Sequence, residues 1–135
     1  MKALLDTSVL ISDSAQLDAD DLLSVASLSY AELEFGASLP SLTAEQRALR
    51  RSRLARLKLR FGPGLPFDDH AAVSYGILAE VVVRAGRQVR GRAVDLLIAS
   101  IAHAHQACLI TENGPDFAPL NRLMPILTPE GKPWV

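Results

Sequence analysis

The sequence predicts an α/β sandwich on a mostly parallel central sheet, and three observations carry that expectation. Short continuous apolar runs, of which Ala3-Leu4-Leu5 is the first, mark strands buried on both faces. Longer segments with apolar residues at helical spacing lie between them. The two kinds alternate along the chain, and that alternation sets helices against a parallel sheet.

In order, Lys2 to Asp6 reads as the first strand, Thr7 or Ser8 as the cap of a short helix through Ile11, and Asp13 to Asp21 as a polar connection. Leu22 to Leu28 reads as a second strand. Ser29 then caps a helix to about Leu39, with Glu32 in capping-box position. After Pro40 and Ser41, Thr43 opens a basic helix to Arg60, punctuated by Leu49, Leu54, Leu57 and Leu59 and ended by Gly62-Pro63-Gly64. Leu65 to Phe67 is a minimal strand. Asp68 or Asp69 caps a helix ending near Gly86, with the apolar stripe Ala72, Val73, Ile77, Leu78, Val81 and Val82. A basic loop leads to a helix from Ala93 to Gln106, striped by Val94, Leu97, Ile98, Ile101 and Ala102. Cys108 to Thr111 forms a strand, Asp116 to Leu123 a short helix, and Pro125 to Leu127 a last strand.

Residues 1–135, at 49% hydrophobic content, suffice for one domain with its own core. A single cysteine, Cys108, excludes an intramolecular disulfide and suits a reducing, cytoplasmic compartment. The opening MKALLDTSVLI is broken by Asp6 and lacks a signal-peptide core, and no apolar run is long enough to span a bilayer, so no membrane association is expected. The net charge of −1 is unevenly spread. Seven of the 14 basic residues lie from Arg47 to Arg60 and four more from Arg84 to Arg92, whereas the first 45 residues hold eight of the 15 acids and one base, Lys2. Local field, not total charge, steers a polyanion, and this segregation suits a metal site flanked by phosphate-binding surface.

Four acids distant in sequence share one expected edge. Asp6 directly follows a buried strand, Glu32 and Asp95 sit in first turns of helices, and Asp116 opens the helix after Cys108 to Thr111. Open α/β sheets bind ligands beyond the carboxyl ends of their strands, which is where these positions fall. Taken singly, each acid is also explained by helix capping or by the helix dipole. Capping does not explain the shared edge. Gathered carboxylates repel and are driven toward protonation unless a cation neutralises them. Mg²⁺ fits, with oxygen ligands from one or two carboxylates plus water and phosphate, and it activates water for phosphodiester hydrolysis without a side-chain nucleophile.

Other chemistries fare worse. An aspartyl-phosphate phosphatase expects a second Asp where this chain has Ser8, and a receiver domain expects a late Lys where only Lys132 occurs. No G-x-G-x-x-G follows the first strand, and Gly62-Pro63-Gly64 lacks the Lys and Ser/Thr of a P-loop. His103 and His105 are two residues apart on a helix and point to different faces, which argues against a zinc site with Cys108. Were the ligand RNA, the few aromatics would favour recognition of a folded form by shape and backbone over stacking. Trp134 is expected to pack on the core or on a partner.

The segments MKALLDTSVL, SYAELEFG, AVDLLIASIAHAHQACLIT and TENGPDF together resemble, in order and spacing over nearly the whole chain, PIN-domain toxins of the VapC type. The resemblance implies a three-layer α/β/α sandwich, a metal-dependent endoribonuclease using Mg²⁺ or Mn²⁺, a homodimer, and a small cognate antitoxin. It makes Asp6 and Asp95 the principal metal ligands, with Glu32 and Asp116 completing the catalytic pocket directly or through water, and Thr111 and Asn113 supporting it by hydrogen bonds. Glu112 departs from the pattern, since related toxins often carry a basic residue there. Arg87, Arg90 and Arg92, just before Asp95, are the expected RNA contacts. The basic helix suits a solvated face as well as a binding one, and in the latter case its partner would be RNA, the antitoxin or a second copy of the chain. A PIN-like module that binds RNA or protein without cutting is the alternative function.

Overall fold

The computed structural model describes residues 1–13, 15 and 21–134, so most of the polar connection expected from Asp13 to Asp21 lies outside the described residues. Strands β1 (Lys2–Leu5), β2 (Leu22–Val25), β3 (Cys108–Ile110) and β4 (Ile126–Leu127) form one sheet in the order β2-β1-β3-β4. Every pairing is parallel, with Ala3 opposite both Leu23 and Cys108 and Leu5 opposite both Val25 and Ile110.

Side chains alternate across a strand, so each apolar run feeds two cores. Ala3, Leu5, Cys108, Ile110 and Leu127 pack on one face with Val9, Leu10, Tyr30 and Leu54, from helices α1 (Thr7–Ser12), α2 (Ser27–Ala37) and α3 (Ala44–Phe61). Leu4, Leu109 and Ile126 pack on the other with Leu78, Ile98, Ile101 and Phe117, from α4 (Asp69–Arg84), α5 (Ala93–Ala104) and a 3₁₀ helix at Gly114–Leu120. Leu4, Leu78, Ile98, Ile101 and Leu109 are wholly buried, and each such side chain contributes about 1.5–3 kcal/mol of apolar transfer. The result is the three-layer sandwich. The order reverses between β1 and β3, and there the carboxyl ends of two neighbouring strands, with Asp6 and Thr111 just beyond them, open onto a crevice.

Several local expectations are corrected. Asp6, not Thr7 or Ser8, occupies the N-cap of α1, and its side chain makes no cap bond. β2 ends at Val25 rather than Leu28, because Ala26 pairs with Leu65 and the chain turns at once into α2. Ala26 is therefore the N-cap, and Ser29 lies inside the helix, so the capping box with Glu32 does not form. Thr43 does cap α3, in a reciprocal capping box with Gln46. Leu49 and Leu59 of α3, and Ala72, Val73 and Ile77 of α4, are exposed, since each helix packs by one side only, α3 on α2 and β2 and α4 on α5 and the 3₁₀ helix. Leu65 to Phe67 reduces to the single bridge at Leu65. The short helix begins at Gly114 and is 3₁₀, and α5 stops at Ala104. Among the described residues no helix is long and apolar enough to cross a membrane.

Gly64 is needed where the chain crosses the start of α2: a Cβ there would lie 2.6 Å from the Ser27 nitrogen. Gly76, within α4, has nothing within 4 Å of its own missing Cβ. Chemical denaturation is expected to show Gly64→Ala destabilised by about 1–3 kcal/mol. Gly76→Ala is expected to be stabilised by about 0.5–1 kcal/mol. Equal effects at both positions would mean that the Gly64 crossing is not tight.

Candidate active site

Asp6 anchors the site. Its backbone N–H extends the β1–β3 ladder to the Ile110 carbonyl at 2.8 Å, and its side chain is buried at 3% exposure. Oδ2 accepts from the hydroxyls of Ser8 at 2.8 Å and Thr111 at 2.9 Å. Each hydroxyl is oriented in turn by a backbone amide, Glu112 N–H donating to Ser8 Oγ at 3.2 Å and Asn113 N–H to Thr111 Oγ1 at 3.0 Å. Oδ1, equally buried, has no hydrogen-bond partner among the described residues. Leaving a buried acceptor unmet costs about 1–3 kcal/mol, and more when it is charged.

The other acids reach the same field from different elements. Glu32, on α2, accepts from the Thr7 hydroxyl at 2.6 Å, and the buried Ser29 Oγ stands 2.9 Å from that hydroxyl. Asp95, in the first turn of α5, has its carboxyl pushed up to about 6, first by burial and then by the charges of Asp6, Glu32 and Asp116, with Arg92 acting in the opposite direction. Asp116, in the first turn of the 3₁₀ helix, pairs with Arg92 at 2.9 Å. The four acids expected on one edge are thus brought together electrostatically around Asp95.

Support comes from residues the sequence gives no reason to select. Thr7, Ser8 and Ser29 carry no recognisable signal, because a hydroxyl in a first helical turn reads as a cap. Trp134 Nε1 donates to the Thr111 carbonyl at 3.0 Å, and a Cβ on Gly114 would collide with the Trp134 indole. The C-terminal segment therefore clamps the turn that presents Thr111. Asn113 contributes through its backbone N–H, and its side chain and that of Glu112 are exposed.

Arg87, Arg90 and Arg92 line a cavity of about 520 Å³ together with Asp95 and Asp116. Arg87 donates to the Pro115 carbonyl at 2.9 Å. The basic helix is used differently. Arg51 and Lys58 pair with Glu34 at 2.8 and 3.2 Å, while Arg47 and Arg50 donate to the Leu39 and Gly36 carbonyls, so much of its charge ties α3 to α2 and the connection after it. His103 Nδ1 is 2.8 Å from Ser74 Oγ, and the Cys108 thiol donates to the Lys2 carbonyl, an arrangement unlike a zinc site.

Among the described residues no three His, Cys, Asp or Glu side chains are arranged to hold one metal ion between them. Mg²⁺ does not need such a cage, since it keeps several waters and uses one or two carboxylates. The donor set here is entirely hard oxygen, and Asp6 Oδ1 is a buried acceptor lacking a proton donor. Those two features fit a hard divalent cation.

Asp95 gives a pH signature. A carboxyl at about 6 in the fold and near 3.8 in the unfolded chain is protonated first in the folded protein, so folding is favoured as pH falls through that window and disfavoured as it rises. In chelator-treated protein, the melting temperature is expected to rise between pH 7 and pH 5 relative to Asp95→Asn, which lacks the titration. Identical pH slopes would separate Asp95 from the acidic cluster.

Comparison with known proteins supplies the context. A PIN-domain profile matches residues 3–122. Among solved structures, a VapBC-family member, VapBC-5 of Mycobacterium tuberculosis, is 33% identical with a TM-score of 0.74, covering 94% of this chain and 96% of that one. VapBC-1 of nontypeable Haemophilus influenzae is 25% identical, TM-score 0.72, over 96% and 98% of the two chains. FitAcB of Neisseria gonorrhoeae shares the fold at 23% identity and TM-score 0.73, over 94% and 97%. Comparison with curated proteins gives no significant match.

Proposed function

The chain belongs to the PIN-domain family and is similar to its VapC-type toxins; from that premise we propose that it is a Mg²⁺-dependent endoribonuclease, the toxin of a type II toxin–antitoxin pair. One observation carries the proposal. Asp6 holds a buried carboxylate oxygen without a donor in the same field as Asp95, whose ionisation three other acids oppose. A divalent cation relieves both penalties at once.

Asp6 and Asp95 would be the principal ligands, with Glu32 and Asp116 acting directly or through water, and Mn²⁺ serving as a substitute. Such an ion supplies Lewis acidity at a phosphate and lowers the pKa of water toward neutrality. The chain's own part is positioning. Ser8 and Thr111 fix the Asp6 carboxylate through one oxygen and leave the other open, and Thr7 holds Glu32. Arg87, Arg90 and Arg92 give cationic contacts for phosphates flanking the scissile bond. The chain's likeness to VapBC-family structures supports a small antitoxin that covers this site, and we extend the reading to a cytoplasmic homodimer.

Purified, partner-free protein is expected to cut bulk RNA with Mg²⁺ or Mn²⁺ and to stop with chelator. Asp95→Asn should lower the rate by about 100-fold or more. Thr111→Val, which removes one clasp on Asp6, should lower it by about 10–100-fold. Asp6→Ala should be inactive yet folded, because it removes carboxylate repulsion. End analysis should find 5′-phosphate and 3′-hydroxyl. Cyclic phosphate ends would contradict water as nucleophile, and metal-independent binding to intact RNA would favour the non-cutting module.

A further inference from the structure

The cavity beside the acids is larger than a metal and one phosphate require. At about 520 Å³ it has the size of a small-molecule site. Its apolar lining comes from four places: Val82 on α4, Val89 in the following loop, Leu96 on α5 and Phe117 on the 3₁₀ helix. Gln88 is the one uncharged polar side chain among the described residues that line it.

Its charge is as uneven as its polarity. Arg87 is bonded to a neutral carbonyl and keeps its full charge available, and Arg90 has no ion-pair partner among the described residues. Arg92 pairs with Asp116, yet both remain substantially exposed, so the pair can open to an anion at little cost. α5 begins at this wall without a side-chain cap among the described residues, so the N–H groups of its first turn add to the arginines, while Asp95 in the same turn stands on the side of the metal-binding acids.

We propose that this cavity is a subsite for one unpaired ribonucleotide next to the scissile phosphate. The base rests on the apolar lining, the phosphate lies between the arginines and the start of α5, and Gln88 reads the base edge. A side chain from a protein partner fits less well, because it would have to be both acidic enough for three arginines and bulky and apolar enough for the floor. A nucleotide combines those properties. A planar amide offers a donor and an acceptor together, which is the pattern that distinguishes bases. Unpaired RNA is read in this way, by base edges and by stacking that an arginine plane also provides. The low aromatic content, read alone, points to shape recognition of folded RNA; a floor of Val82, Val89 and Leu96 with the one aromatic ring of Phe117 provides a base surface here.

The inference rests on the ribonuclease reading for its substrate, but it is tested without turnover. The full chain, ¹⁵N-labelled and with Mg²⁺, is titrated by NMR with AMP, GMP, CMP, UMP and ribose 5-phosphate. Amide shifts are expected around Gln88 to Ala93 and Phe117. The tightest and weakest nucleotides should differ by about fivefold or more in Kd. Ribose 5-phosphate should bind at least about tenfold more weakly than the tightest nucleotide, having no base to bury. Gln88→Ala, an exposed loop change, should bring the four Kd values to within about twofold of one another. The subsite is overturned if ribose 5-phosphate binds as well as the nucleotides, if Gln88→Ala leaves discrimination intact, or if no nucleotide shifts these amides, which would leave the cavity to a protein partner. RNA cutting is scored separately, so a base-selective protein that cuts nothing contradicts the nuclease and not the subsite.

Discussion

The site depends on a carboxylate held at the end of the central strand with one oxygen satisfied and the other not. β1 has a neighbour on each side, so its last residue cannot move away from the crevice without breaking the ladder to β3. Ser8 and Thr111 then lock Oδ2. Burial without full satisfaction is costly for a single group, and an acidic neighbourhood makes it costlier. The fold tolerates that cost because the strands that flank the carboxylate are mostly apolar, with Leu4, Leu109 and Ile110 fully buried.

The clasp on Asp6 reaches far along the chain. Thr111 and the amides of Glu112 and Asn113 come from the turn after β3, and that turn is held by the Trp134 indole. The tail is itself fixed, Trp134 N–H donating to the Ile126 carbonyl of β4 and Pro133 bridging Leu127. Residues from both ends of the chain therefore determine how one carboxylate is presented. Charge is organised on the same plan: the acids converge at the crevice, three arginines line the cavity beside them, and the basic helix neutralises Glu34 on the opposite layer.

The parallel sheet and the shared edge of the acids were legible because both follow from backbone periodicity. An apolar run ending in Asp fixes what lies inside and what lies at the rim. Surface exposure was not legible. Val73 and Ile77 are one helical turn apart, yet α5 and the 3₁₀ helix meet a different side of α4, and spacing alone does not say which. Ser29 and Glu32 match a capping box in sequence, but the bridge from Ala26 to Leu65 starts the helix earlier and turns Ser29 into a buried partner of Thr7. Thr7, Ser8 and Trp134 were missed as site residues for a related reason, since their roles depend on long-range hydrogen bonds that leave no local pattern.

The most direct test is where a cation settles. Crystals soaked in Mn²⁺ and measured at its absorption edge are predicted to show an anomalous peak beside Asp6 Oδ1 and the Asp95 carboxylate. A fully soaked crystal with no peak there, or with manganese held only by acids away from the crevice, would contradict the account.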